Sequence, residues 1–324
     1  MIRVALYVSP QTVCSSLSMA DDAFRLANQL AGERLFDTLR VSQDGQPVEL
    51  GFVQVRVDGD LSLAASADLV LIPASGSSVP RMLDGNPALL AWLASRPAEQ
   101  QLASLCSGAF LLAAAGVLDG RRATTHWALA DEFRQRFPQI HLLDQQLFTE
   151  DGNRFCSGGA QAGLDLCLHL IAWHAGEALA QRLASTLVVE RERGPQSRFA
   201  PLLPDSHPTD SLIAPLLRWL QEHHQQAIDL ERLAAQAHCS TRTLLRRFKA
   251  STGLTPNDYL QRLRISAAQS ALRNPARSLE QVAAQVGYAD RATFAKRFKQ
   301  LCGESPGAFR KRLCNHPTSL PSRQ

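Results

Sequence analysis

The sequence predicts an α/β domain built on a mostly parallel sheet, followed by an all-α domain that carries two helix-turn-helix motifs. Three observations lead there. Short apolar strands alternate with helical stretches through the first 193 residues, the charge balance changes sign near residue 211, and a near-duplication lies close to the C-terminus.

Strands are expected at residues 4–8, 52–57, 69–72, 102–105 and 154–156, and helices at 20–31, 87–95, 109–115, 126–137, 162–174 and 177–191. Strands separated by helices point to a parallel sheet covered on both faces, and ligands of such sheets sit at the C-terminal ends of the strands. Residues 194–210, GPQSRFAPLLPDSHPTD, are rich in Pro and Ser and read as a linker. The domains are therefore expected at 1–193 and 212–314, with a linker at 194–211 and a short polar, disordered tail at 315–324. Helical periodicity dominates residues 212–313, interrupted by turn signals at Gly253, Asn274-Pro275 and Gly303.

From Ser211 onward there are 18 Lys/Arg against 7 Asp/Glu, and before it 16 against 23, so the last third carries about +11 and the rest about −7. All four lysines (Lys249, Lys296, Lys299, Lys311) lie in the basic part. A polyanion partner suits the basic part, and a small-molecule or protein role suits the acidic one. The 7 cysteines form no C-x-x-C pair, and their odd number fits no complete disulfide framework, which points to a reducing cytosol. The start MIRVALYVS is strand-like, and the longest apolar run, near 109–118, is shorter than the roughly 20 residues of a membrane span. Neither export nor membrane insertion is expected. His169 and His174 do not have i, i+4 ligand spacing, and the sequence asks for no metal and no cofactor.

Leu230 opens LERLAAQAHCSTRTLLRRFK and Leu279 opens LEQVAAQVGYADRATFAKRFK, each followed by a Gly, a Pro and an aromatic in the same order. In each copy a short helix bearing paired alanines (Ala234, Ala235; Ala283, Ala284) meets a tight turn and a second, cationic helix. Small side chains allow close helix approach, which leaves the second helix protruding enough to enter a DNA major groove. In the first copy Leu230, Leu233, Ala234 and Ala237 share an apolar face, residues 238–240 turn, and Ser240 is placed to cap the helix at 241–249. Leu244 and Phe248 face the core, leaving Thr241, Arg242, Leu245, Arg246 and Lys249 to meet DNA, with Arg242 and Arg246 as candidates for guanine.

The second copy has one extra turn residue. Gly287 supplies backbone freedom, Phe294 and Phe298 face inward, and Arg291, Ala292, Ala295 and Lys296 face outward. The alanines there can only make apolar contact, such as with a thymine methyl. Arg247, Arg297 and Lys299 sit toward the flanks and are expected on phosphates. Residues 259–272 form a bridging helix, carrying Arg262 and Arg264, that fixes the distance between the readers. A single basic amphipathic helix is usually a solvated face; matched core, turn and cationic positions in both copies favour DNA binding.

Residues 212–313 resemble the AraC/XylS family of transcription regulators. The resemblance rests on Ser240, Leu244, Arg246, Phe248 and Lys249, then Gly253, Pro256 and Tyr259. In the second copy it rests on Ala283, Val286, Gly287, Tyr288, Phe294, Phe298, Lys299, Pro306, Phe309 and Arg310. It implies a seven-helix DNA-binding domain joined to a sensor domain and control of transcription, most often activation, with RNA polymerase as a partner.

In the first domain, residues 102–108 followed by AFLLAA read as a strand, a sharp turn and a helix. Such an elbow lifts Cys106 above the sheet, where the following helix N-terminus favours a thiolate or a bound anion. Downstream, His126 is placed to reach the thiol, and Cys with His is the minimum for nucleophilic catalysis. Three readings stay open: a hydrolase pair, the floor of an effector pocket, and a purely structural elbow.

This part is similar to the class I glutamine amidotransferase-like superfamily of PfpI-type proteins, a flavodoxin-like sandwich. The motifs are Ile72-Pro-Ala-Ser-Gly76, Cys106-Ser-Gly-Ala-Phe, residues 116–127 ending Thr-Thr-His126-Trp127, and Ser157-Gly-Gly159. Joined to an AraC-type domain, it matches the GlxA-like regulators. Enzymatic relatives place an acidic residue after the first strand where Ser16 stands here, so the resemblance implies a sensor without catalysis. Its pocket candidates are Ser16, Gly76, Cys106, Ser107, His126 and Trp127. The expected function is a cytoplasmic, specific promoter-binding regulator, homodimeric through its first domain and responsive to a small nitrogenous metabolite. The rival is a Cys-dependent hydrolase or amidotransferase with an accessory DNA-binding domain.

Overall fold

The computed structural model describes residues 1–191, 193–199, 201–203 and 210–315. These divide into two compact units, Met1–Ser197 and Arg198–Gln324.

The first unit begins β1 (Ile2–Tyr7), α1 (Cys14–Ala31), β2 (Phe36–Val41), β3 (Val48–Glu49), β4 (Gln54–Val55) and α2 (Leu61–Ala64). It continues β5 (Leu69–Ile72), α3 (Val79–Asp84), α4 (Pro87–Ala94), β6 (Gln101–Ser104), α5 (Ala109–Ala114), β7 (Arg122–Ala123) and α6 (Ala130–Arg136). It ends with β8 (His141–Leu142), β9 (Phe148–Asp151), β10 (Arg154–Ser157), α7 (Ala162–Ala175) and α8 (Glu177–Thr186). The main sheet has six strands in the order β2-β1-β5-β6-β10-β9, parallel except for β9. Central strands such as LVLI of β5 are apolar at every position because helices bury both faces. Alternate residues supply the two layers. Val4, Leu6, Leu69 and Leu71 pack with Phe24, Leu166 and Ile171, whereas Ala5, Tyr7, Val70 and Ile72 pack with Phe110, Leu111 and Phe133.

The second unit holds α9 (Ile213–His223), α10 (Leu230–Gln236), α11 (Thr241–Thr252), α12 (Pro256–Ala271), α13 (Leu279–Gln285), α14 (Arg291–Cys302) and α15 (Pro306–Asn315). Its two cores share α12: Tyr259, Leu260 and Leu263 join Leu216, Leu233, Leu244 and Phe248, while Ile265, Ala268 and Ala271 join Val282, Phe294 and Phe298. Each helix start is written into the sequence. Asp229, Ser240, Thr255, Ser278 and Asp290 each accept from the backbone N–H three residues on, and Ser278 with Gln281 completes a capping box. α11 and α14 each stop at a left-handed glycine, Gly253 and Gly303. Replacing Ser240, whose Oγ accepts from Thr243 N at 3.2 Å, with Ala should cost about 1 kcal/mol, measurable by denaturant unfolding.

Several expectations are corrected. The strand expected at 52–57 is only β4, half of a small hairpin with β3 outside the main sheet. One sheet edge is instead β2, whose sequence FDTLRV lacks a continuous apolar run because the edge position leaves it half exposed. The expected 20–31 helix starts earlier, at Cys14, and the expected 177–191 helix stops at Thr186. The segment at 126–137 opens as a 3-10 turn before α6, and α3 and β9 lacked any expectation. Residues 194–197, read as linker, belong to the first unit and are held there through Gln196, which is 2% exposed. The rest of the linker from 204 to 209 and the tail from 316 lie outside the described residues.

Candidate functional site

After β6 the chain turns at Cys106 with φ 55°, a left-handed conformation unusual for a side chain, and runs through a 3-10 turn into α5. Gly108 makes this elbow possible: a Cβ there would lie 2.7 Å and 2.8 Å from the Ile72 and Pro73 carbonyl oxygens at the end of β5. Ser107 accepts from Ser75 N at 2.9 Å, and Ser16 accepts from Ala74 N at 3.0 Å. Thr125 Oγ1 donates to the Cys106 carbonyl at 3.0 Å. The fold thus gathers Ser16, Cys106 and Ser107 around residues 73–76, beyond the C-terminal ends of β5 and β6, with Gly76 exposed at φ 69°. His126 and Trp127 follow β7, their rings 5.0 Å apart.

The electrostatics run against the expected thiolate. Burial pushes the Cys106 thiol above its ordinary value, outweighing the lowering by hydrogen bonds from Ser107. Burial also holds His126 below the usual imidazole value. His126 Nδ1 accepts from Ala128 N at 3.1 Å, so its proton in the neutral form sits on Nε2, on the ring edge facing Gly159. No hydrogen bond joins Cys106 to His126 among the described residues, so the expected reach between them is not made. The position of Ser16 is occupied by a backbone contact and offers no carboxylate. A cleft of about 410 Å³ opens beside the ends of β1 and β2, lined by Tyr7, Ser9, Ser42, Asp44, Glu49 and Asn86 among others and by none of the six pocket candidates.

Sequence reasoning missed Gln196. Its Nε2 donates toward Thr124 Oγ1 at 3.1 Å, Thr125 O at 3.0 Å and Gln146 O at 3.0 Å, while its Oε1 accepts from Gly159 N at 3.3 Å. This carboxamide lies one residue from the elbow, because Thr125 contacts both. A lone Gln inside a Pro- and Ser-rich stretch gives no sequence signal of such burial.

In the second unit Arg242, Leu245, Arg246 and Lys249 are exposed on α11, as are Arg291, Ala292, Lys296 and Lys299 on α14; Thr241 and Ala295 are half-buried. Arg291 pairs with Glu280 at 2.7 Å on the surface. Arg247 and Arg297, expected on phosphates, are held inside their own modules. Arg247 grips Asp210 with bonds of 2.9 Å and 2.6 Å, and Arg297 pairs with Asp258 at 3.1 Å. They occupy matching places in the duplication, each facing an acid at the start of the helix that leads its copy. Arg247 draws the Asp210 carboxyl down to about 2. A depressed carboxylate contributes stability above its unfolded value and loses it as pH falls through about 2. Asp210→Asn should therefore flatten the acid-unfolding profile of the second unit, followed by circular dichroism. Within the bridging helix, Arg262 donates to Leu202 O at 3.3 Å, and Arg264 is 8% exposed and donates to the His224 and Gln226 carbonyls at 2.7 Å and 2.8 Å.

No helix among the described residues is long and apolar enough to cross a membrane. Residues 22–173 match the DJ-1/PfpI family, and residues 233–312 match a helix-turn-helix domain family. The HTH-type transcriptional regulator GbdR of Pseudomonas aeruginosa is 28% identical over 293 residues, covering 90% of this chain and 79% of that protein. The HTH-type transcriptional regulator GlxA of Rhizobium meliloti is 26% identical over 320 residues, 96% of each chain. An AraC family transcriptional regulator from Pseudomonas putida, known as a crystal structure, superposes with a TM-score of 0.50 at 25% identity, covering 58% of this chain and 100% of that one. The chain joins a DJ-1/PfpI-family domain to an AraC-type helix-turn-helix domain, the build of the HTH-type transcriptional regulators it resembles.

Proposed function

We propose that the chain is an AraC-type transcription regulator that reads specific promoter DNA through α11 and α14 and responds to a small nitrogenous metabolite bound in the first unit. The observation that carries it is the duplicated module: two capped helices, each presenting exposed cations, fastened to the single rod α12. The effector must favour one arrangement of the protein over another, since equal affinity for both shifts no population. Activation through RNA polymerase, pairing through the first domain and a cytoplasmic setting complete the reading. Two linked chains gain avidity for paired sites.

The first unit binds its metabolite without turning it over. An uncharged thiol and an imidazole that makes no hydrogen bond to it make no activated nucleophile. Alkylation of Cys106 should accelerate only above the ordinary thiol range, and Cys106→Ala should keep promoter binding; a variant that lost turnover of some substrate while keeping promoter binding and induction would instead favour the hydrolase rival. The central test is selection of bound genomic fragments by the full chain, followed by fluorescence anisotropy. Indistinguishable affinity for selected and random DNA would overturn the proposal.

A further inference from the structure

Gln196 is held like a ligand. Its amide nitrogen faces three acceptors (Thr124 Oγ1, Thr125 O and Gln146 O), its amide oxygen faces one donor (Gly159 N), and its own backbone N donates to Gln145 O at 2.9 Å. The pattern is complementary to a primary carboxamide: acceptors around the nitrogen and a donor at the oxygen. A carboxylate would set its oxygens against the acceptors, and an ammonium would meet the Gly159 N–H. Gly158 keeps the room, because a Cβ there would lie 2.5 Å from Gln196 Oε1. Two neighbouring glycines, one yielding space and one donating, make a socket rather than an accidental contact.

The socket borders the elbow on two sides. Thr125 gives its carbonyl to Gln196 and its hydroxyl to the Cys106 carbonyl, and the His126 ring lies against Gly159, where a Cβ would be 3.3 Å from its Cδ2. A few residues earlier the same segment is fastened by Arg193, which ion-pairs with the buried Asp165 and donates to Gln161 O at 2.8 Å. Residue 196 therefore stands where the first unit ends and the chain leads on toward the DNA-binding domain.

We infer that the pocket beside the Cys106 elbow is a carboxamide-binding site which the chain fills with its own Gln196, and that a small molecule bearing a primary carboxamide competes for it. Displacement frees the segment that leads to the DNA reader. The regulatory half of this inference rests on the function proposed above; the socket itself does not.

The test uses the full chain and trypsin cleavage after Arg198, with circular dichroism confirming the fold of each variant. Gln196→Ala should raise the cleavage rate about tenfold or more, as loss of a buried polar anchor implies. Propionamide should raise cleavage of the wild-type chain toward the Gln196→Ala rate by displacing the side chain; N,N-dimethylpropionamide, propionate and propylammonium should not. Gly158→Ala should cleave as fast as Gln196→Ala with or without propionamide, because the new methyl fills the socket. Gln196→Glu, nearly the same shape, should also cleave fast at neutral pH, which keeps the test open should the alanine variant fold poorly. Unchanged cleavage in the Gln196 variants, no acceleration of the wild-type chain by propionamide, or equal acceleration by any of the three control compounds, overturns the socket. A promoter reporter carrying Gln196→Ala should shift severalfold from wild-type basal output, and no shift overturns the coupling. Failure of the wild-type chain to bind specific DNA would strike the proposed function alone, since the proteolysis would still decide the socket.

Discussion

Gly287→Ala is expected to destabilise the second unit by about 3 kcal/mol or more and to weaken binding to a full operator far more than to an isolated half-site. Gly287 has φ 89°, and a side chain in that left-handed region costs roughly 1–2 kcal/mol before any contact is counted. The added Cβ would lie 2.7 Å from the Gln225 carbonyl oxygen and 3.0 Å from its carbonyl carbon and Cα, backbone atoms that cannot rotate away. Gln225 belongs to the first copy, between α9 and α10, so this glycine is where the two copies touch. Arg264 seals the same junction from α12, bonding the carbonyls of His224 and Gln226 with its guanidinium 5.7 Å from the Tyr288 ring centroid. A junction of backbone and buried cation fixes the angle between the readers, which is why the full operator should suffer most. His238 holds the matching turn position in the first copy at φ 48°. His238→Gly should stay within about 1 kcal/mol of wild type, because relief of the left-handed strain opposes the entropy that glycine adds to the unfolded chain. Thermal unfolding and anisotropy titrations on full and half sites measure both, and a Gly287→Ala protein as stable as wild type would show that the copies do not rely on this contact.

The duplication was readable because helix caps, inward aromatics and left-handed glycines are local, and local rules repeat faithfully: Ser240 with Asp290, Phe248 with Phe298, Gly253 with Gly303. The parallel core of the first unit was readable for the same reason, since β5 is a short apolar run buried at every position and β6 is buried from Leu102 to Ser104. Edge strands obey no such rule. β2 and β9 are half-exposed, polar and stabilised mainly by partners far away in sequence, so periodicity passes over them. The candidate site was legible only as far as its elbow. Whether Cys106 is ionised depends on burial by surrounding elements, and whether Gln196 is a linker residue or a bound amide depends on acceptors 50 to 72 positions away. The same limit applies to Arg247 and Arg297. Their place on the helix suggests phosphates, but the acids that hold them lie 37 and 39 positions away.

That difference separates the cations of the reading helices by their salt dependence. Arg246→Ala should cost about 1–3 kcal/mol of specific binding, a loss of roughly tenfold to a hundredfold, and should relax preference at one base pair. Lys296→Ala should act in the same direction from the second copy. Lys249→Ala and Lys299→Ala remove exposed cations from helix ends and should lower the slope of log affinity against log salt by about 0.9 each, evenly across sequences. Arg247→Ala should behave differently. Its charge is already matched by Asp210, so the slope should hold while the second unit loses stability. Asp210→Ala should do the reverse to the slope, steepening it by up to about 0.9, because it leaves the Arg247 cation available to a phosphate. Anisotropy titrations between low and moderate salt read all of these together. An Arg247→Ala slope that falls as far as that of Lys249→Ala would move Arg247 back onto the phosphates, and wild-type affinity in both Arg246→Ala and Lys296→Ala would mean that the reading faces lie elsewhere on α11 and α14.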